Sequence, residues 1–220
     1  MTKLLIFDFD GVIISGSNQG YFTCYHKALE SVGIVLEPED ERKKILEKWG
    51  KGYKIQIEYL LNQHQDLIPK ALESYEKCYY SPLFEANIKL IKGADTSLQK
   101  LSEKYNLAIA SGMMTKTLEK YLNQFNIKKH FKYVLSSDEI KNPEDKKPSP
   151  FMLNMVLKHF QEHNKNAVYI GDGPGDVEMA VNAEIEPIVV LTGHLSEEET
   201  KNLGVKKIIK DINYLEDVLG

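Results

Sequence analysis

Leu4-Leu5-Ile6-Phe7-Asp8-Phe9-Asp10-Gly11-Val12 runs from an apolar segment directly into two carboxylates and a glycine. The apolar part is short and built of large residues. That is the pattern of a strand buried on both faces of a parallel sheet. In such sheets, ligands collect beyond the carboxyl ends of the strands. Asp8 and Asp10 are two positions apart, so an extended backbone leans both side chains to one side. Gly11 then permits a sharp turn. Two carboxylates at this spacing repel each other and favour a cation between them. Oxygen-only ligation points to Mg²⁺ rather than zinc. The same residues also describe an ordinary strand end followed by a turn. Segments further along the chain separate the two readings.

Beyond Ile91-Lys92-Gly93, short apolar runs alternate with helical patterns. The runs are Leu107–Ala110 ending in Ser111-Gly112, Tyr133–Leu135, Ala167–Ile170 ending in Gly171-Asp172, and Ile188–Leu191 ending in Thr192-Gly193. Lys207-Ile208-Ile209 adds a short edge strand before a last helix expected over Ile212 to Leu219. This alternation predicts a parallel sheet with helices on both faces. Between Ser15 and Glu85 the texture differs. Tyr21, Phe22, Tyr25, Ala28, Leu29 and Val32 recur at helical spacing. Pro38 followed by acids opens a second helix. Ile55 with Tyr59, and Leu72 with Tyr75 and Tyr79, mark two more, and the tyrosines read as packing residues. The expected architecture is therefore an α/β, Rossmann-like core over residues 1–14 and 86–220. An all-helical cap over 15–85 is inserted into it.

The 220 residues allow one domain with one insertion. A formal net charge of -4 argues against a general nucleic-acid binder. Cys24 and Cys78 form no CxxC pair, which suits a reduced, intracellular protein. Neither a signal peptide nor a membrane-spanning run is visible, so a cytoplasmic location is expected.

Four polar stations interrupt this alternation: Asp8 with Asp10, Ser111, Lys147 within Lys146-Lys147-Pro148-Ser149-Pro150, and Asp172 with Asp176 within Gly171-Asp172-Gly173-Pro174-Gly175-Asp176. Three follow strands, and Lys147 lies in the loop before a helix. Each taken alone has a plain structural explanation, as a helix cap, a turn or a solvated lysine. Their order along one sheet edge joins them.

These motifs resemble the haloacid dehalogenase superfamily, in particular its phosphoglycolate phosphatase-like and phosphoglucomutase-like members with a helical cap after the first motif. DxDGx matches Asp8 through Val12, the Ser/Thr motif matches Ser111, the Lys before PxP matches Lys147, and GDxxxD matches Gly171 through Asp176. Two positions depart from the pattern. Gly112 stands where many relatives carry Asn, and Ala183-Glu184 stands where Ala-Gly is common.

The resemblance implies a Mg²⁺-dependent phosphatase that hydrolyses a small phosphate monoester through an aspartyl-phosphate. Asp8 would be the nucleophile and Asp10 the acid and base. Mg²⁺ would be held by Asp8, the backbone carbonyl of Asp10, and Asp172. Lys147, Ser111 and Gly112 would bind the phosphoryl group. Asp176 would orient a metal-bound water or Lys147. Lys51 and Gly52 would contact substrate from a loop between cap helices, and the cap would act as a lid. The expected partner is a small phosphorylated metabolite rather than nucleic acid or membrane, and the expected state is a monomer or small homo-oligomer.

Alternatives remain at this stage. A phosphomutase would use the same carboxylates on a sugar phosphate. A phosphonate hydrolase would need a Schiff-base lysine, for which Lys51 and Lys54 are available. A dehalogenase would not need Asp10 or this metal set. Among non-enzymes, a phosphoryl-accepting receiver lacks a helical insertion. A non-catalytic phosphate-binding module would be expected to have lost one of the stations.

Overall fold

The computed structural model describes residues 2–49 and 52–219. Its strands, in chain order, are β1 (Leu4–Phe7), β2 (Ile14–Ser15), β3 (Lys89–Leu90), β4 (Asn106–Ser111), β5 (Tyr133–Ser136), β6 (Ala167–Gly171), β7 (Glu186–Val190) and β8 (Lys207–Ile209). Six of them form one sheet in the order β5-β4-β1-β6-β7-β8, and every pairing in it is parallel. Phe7 pairs with Ile109 on one side and with Ile170 on the other. β1 is therefore the switch point. Chain order runs outward through β4 and β5 on one side and through β6, β7 and β8 on the other. A crevice opens beyond the strand ends at such a point.

The helices are α1 (Ser17–Ser31), α2 (Pro38–Leu46), α3 (Tyr53–Leu60), α4 (Ile68–Tyr79), α5 (Pro82–Glu85), α6 (Ala94–Lys104), α7 (Thr115–Gln124), α8 (Phe151–Phe160), α9 (Pro174–Asn182) and α10 (Glu197–Asn202). The chain divides into two compact units, Met1–Ser15 with Leu90–Gly220, and Gly16–Lys89.

In the first unit all four residues of β1 are fully buried. One apolar cluster joins Leu4, Ile6, Ala108, Ala110 and Tyr169 of the sheet to Met152, Leu153 and Val156 of α8 and Met179 and Ala180 of α9. α9 ends in a Schellman motif, with Glu184 N–H donating to Val181 and Ile185 N–H to Ala180. Glu184 sits at φ 55, in the left-handed region that favours glycine. This is the position at which the family resemblance leads us to expect glycine.

In the helical unit, Cys24, Tyr25, Ala28 and Leu29 of α1 and Ala71, Tyr75, Cys78 and Tyr79 of α4 are buried. Tyr75 stacks on Tyr53 of α3 with ring centroids 4.8 Å apart, a packing role for these tyrosines. Cys24 and Cys78 are buried free thiols with their sulfurs 2.9 Å apart. Gln56 Nε2 donates to the Ile45 carbonyl at 2.7 Å and fastens α3 to α2.

Three features differ from the sequence reading. Residues 86–89 group with the helical unit, where Ile88 N–H donates to Glu85. The connection after Val12, for which the sequence signals no strand, contains β2, which pairs with β3; two residues are too few for alternation to register. The expected last α-helix is a 3₁₀ segment, Ile212–Asp217, whose start is capped by Asp211 accepting from Asn213 N–H at 2.9 Å. Among the described residues, no helix is long and apolar enough to cross a membrane.

Candidate active site

Asp8 follows β1 and extends its ladder by one step, its N–H donating to Ile170 at 2.8 Å. Its side chain is buried. Oδ1 accepts from Phe9 N–H at 2.7 Å, and Oδ2 accepts from Lys147 Nζ at 2.8 Å. The chain then turns: Ile13 and Ile14 both donate to the Phe9 carbonyl, and Gly11 donates to Ile14. Gly11 has φ +73, and a Cβ there would lie 2.3 Å from Asp172 Oδ2. Both its backbone conformation and its surroundings therefore require glycine.

Lys147 comes from the loop before α8. Its ammonium bridges Asp8 and Asp176, lying 2.7 Å from Asp176 Oδ1. Asp176 stands in the first turn of α9 and uses both oxygens within the protein. Oδ1 also accepts from Tyr169 Oη at 2.9 Å. Oδ2 accepts from the N–H groups of Asp172 at 3.1 Å and Gly173 at 3.0 Å. Asp172 follows β6, and its Oδ2 accepts from His194 N–H at 3.1 Å.

Ser111 ends β4, two positions past Ile109, the partner of Phe7, so it belongs to the same sheet edge. It is buried, and its hydroxyl accepts from Met113 N–H at 3.2 Å. Gly112 opens onto free space, with no atom within 4 Å of where its Cβ would be.

Among the described residues, Asp8, Asp172 and Asp176 form a cluster that can offer one carboxylate oxygen each, all within 4.8 Å of one another. Of these three buried carboxyl groups, two are bonded to the Lys147 ammonium. Burial is the main influence raising the Asp8 carboxyl, with Lys147 opposing it. Burial also pushes Asp172 well above the ordinary range, and the charges of Asp176, Asp8 and Asp10 add to this. Burial would raise Asp176 too, but Lys147 and the hydrogen bonds it accepts hold it below its usual value. Burial disfavours the charged form of Lys147, and the two aspartates more than reverse that.

This surplus of buried negative charge and the all-oxygen donor set fit a hard divalent cation such as Mg²⁺. The ligand set implied by the resemblance includes Asp8 and Asp172, which both stand in this cluster; the spacing alone suggested pairing the carboxylates of Asp8 and Asp10. The cluster instead joins Asp8 to Asp172 and Asp176, because the turn at Phe9 follows directly on Asp8. The other expected site residues belong to the inserted segment. Gly52 precedes α3 in the helical unit, Lys54 lies in the first turn of α3, and Lys51 lies outside the described residues.

Sequence reasoning missed Tyr169, Thr192, Gly193 and His194. Tyr169 carries no local signal, being one member of an apolar run. Thr192-Gly193 ends a strand, as three of the polar stations do, and that rule applied once more reaches it. Thr192 Oγ1 donates to the Gly11 carbonyl at 2.5 Å.

Residues 5–190 match the family described as haloacid dehalogenase-like hydrolase. A phosphoglycolate phosphatase of Vibrio parahaemolyticus is 25% identical over 190 residues, covering 82% of this chain and 80% of its own. The pyrophosphatase PpaX of Listeria welshimeri is 32% identical over 127 residues, covering 58% of this chain and 48% of its own. The structure of a haloacid dehalogenase-like family hydrolase from Streptococcus pneumoniae superposes with a TM-score of 0.82 at 19% identity, covering 98% of this chain and 97% of that one. The chain is thus an enzyme belonging to the haloacid dehalogenase-like hydrolase family.

Proposed function

We propose that this enzyme is a Mg²⁺-dependent phosphatase that hydrolyses a small phosphate monoester through an aspartyl-phosphate on Asp8. The observation that carries the reading is the buried Asp8–Lys147–Asp176 arrangement beside Asp172. A phosphate dianion repels a carboxylate nucleophile, so the site must supply positive charge. Lys147 supplies one cation, and Asp8, the Asp10 carbonyl and Asp172 would hold Mg²⁺. Bound there, Mg²⁺ would neutralise charge on the phosphoryl oxygens.

Asp8 Oδ attacks phosphorus as the bond to the leaving oxygen breaks. Asp10, in its acid form, donates its proton to that oxygen. Asp10 then takes a proton from water, and the water oxygen attacks phosphorus. Inorganic phosphate leaves and the Asp8 carboxylate returns. Lys147, Ser111 Oγ and the Gly112 N–H hold the phosphoryl oxygens through both steps. Asp176 keeps Lys147 in place. Substrate choice is assigned to the helical unit, with Lys51, Gly52 and Lys54 as its candidate residues.

Two relatives carry the names phosphoglycolate phosphatase and pyrophosphatase, so phosphoglycolate and pyrophosphate head a phosphate-release screen of small phosphorylated metabolites. Stoichiometric free phosphate that appears with Mg²⁺ and stops with a chelator supports the reading. Isomerised sugar phosphate with little free phosphate would establish a mutase. No Mg²⁺-dependent turnover of any of these compounds would favour a binding role.

A further inference from the structure

Asp172 raises a question of restraint. It is 3% exposed and shares its surroundings with Asp8 and Asp176, while the Lys147 ammonium is bonded to those other two. Coulomb repulsion drives its carboxylate away from both neighbours. A carboxylate meant to meet a metal must nevertheless be held in one rotamer before the metal arrives.

The turn after β7 provides that restraint. His194 N–H donates to Asp172 Oδ2 at 3.1 Å, and the N–H groups of His194 and Leu195 donate to the Asp172 carbonyl at 3.2 and 3.0 Å. The His194 ring stands close by, its Nε2 3.7 Å from the same Oδ2. A Cβ on Gly193 would lie 1.8 Å from Oδ2, and one on Gly11 would lie 2.3 Å from it. Two glycine backbones therefore wall the oxygen in from different segments. Thr192 Oγ1, bonded to the Gly11 carbonyl at 2.5 Å, ties those segments together.

We propose that Thr192 and Gly193 are positioning residues that fix the Asp172 carboxylate for Mg²⁺. This rests on the Mg²⁺ reading of the site. Neither side chain needs to touch substrate. Gly193 acts by having no side chain, and Thr192 acts by pinning the turn to Gly11.

The test is Mg²⁺ binding to the purified full-length chain by titration calorimetry, with the metal-free melting temperature and kcat against Mg²⁺ concentration alongside. Gly193→Ala is expected to weaken Mg²⁺ by roughly 10- to 100-fold, the usual effect of disturbing a ligand's support. Its kcat should recover in part as Mg²⁺ is raised. Thr192→Val removes one hydrogen bond at constant shape and should weaken Mg²⁺ by roughly fivefold, while Thr192→Ser restores it. If Gly193→Ala fails to fold, the valine and serine variants decide. Wild-type affinity in Gly193→Ala or in Thr192→Val overturns the positioning role and leaves the Mg²⁺ reading standing. Absence of Mg²⁺ binding by the wild type overturns both.

Discussion

Asp8 and Asp10, two residues apart, sit in different surroundings. Asp8 is buried, accepts from Phe9 N–H and is paired with Lys147. Asp10 lies beyond the Phe9 turn and is less buried. A nucleophile must be ionised and a general acid protonated; burial raises the Asp8 carboxyl, so its ionisation rests on Lys147 and on a bound cation. In the proposed mechanism Asp8→Asn removes the nucleophile, and we expect phosphate release to fall to background in freshly purified protein. Asp10→Asn should slow turnover of an alkyl phosphate by about 10²–10⁴-fold. In single-turnover phosphorylation it should affect an aryl phosphate, with its good leaving group, much less. Equal losses on both substrates would exclude Asp10 as the acid. Lys147 belongs to the same scale. Removing one partner of a buried ion pair typically costs about 3–5 kcal/mol. Lys147→Met should therefore lower the melting temperature as well as the rate.

At the scale of elements, two helix ends carry more information than the helices themselves. The start of α7 has no side-chain cap of its own, and Asp138 supplies one from the segment after β5. Asp138 Oδ1 accepts from Thr115 N–H at 2.8 Å, Thr115 Oγ1 at 2.7 Å and Ser136 Oγ at 2.9 Å. Asp138→Ala should cost about 1 kcal/mol, readable by urea denaturation. Burial would raise this carboxyl, but the donors from Thr115 and Ser136 prevail and hold it below its ordinary value. A lowered folded pKa stabilises the fold above the unfolded carboxyl value of about 3.9 and ceases to do so as pH falls through the folded value. The stability gap between wild type and Asp138→Ala should therefore narrow below roughly pH 4. Past the C-terminal end of α9, Glu184 holds a left-handed conformation that costs a side-chain-bearing residue roughly 1–2 kcal/mol. Glu184→Gly should raise the urea midpoint without changing turnover.

For the whole molecule, the central quantity is the buried carboxyl cluster beyond the end of β1. Burial and mutual repulsion disfavour ionising all three carboxyl groups against one ammonium, and a divalent cation bound there would relieve this. At 100 times its dissociation constant a ligand bound only by the folded state adds about 2.7 kcal/mol. For a chain of this size, that corresponds to roughly 5–10 °C in melting temperature. Scanning calorimetry with Mg²⁺ and with a chelator should show this shift. No shift at saturating Mg²⁺ would mean that the carboxylate cluster is not a metal site.

The strands of the six-stranded sheet, their parallel sense and the polar residues that follow them were legible in the amino-acid order. An apolar run that ends in Asp, Ser or Gly-Asp is a local signal, and Asp8, Ser111 and Asp172 each carry it. The left-handed demand at Glu184 left only a faint trace, as a departure from a family pattern. Tertiary structure alone decided which of these residues meet. Lys147 reaches Asp8 across 139 positions and Asp176 across 29, and Thr192 reaches Gly11 across 181. Tyr169 looks like any apolar strand residue until its hydroxyl lies 2.9 Å from Asp176. Local patterns follow from backbone periodicity and burial, which act over a few residues. These pairings follow from the order β5-β4-β1-β6-β7-β8, which brings the ends of distant strands side by side.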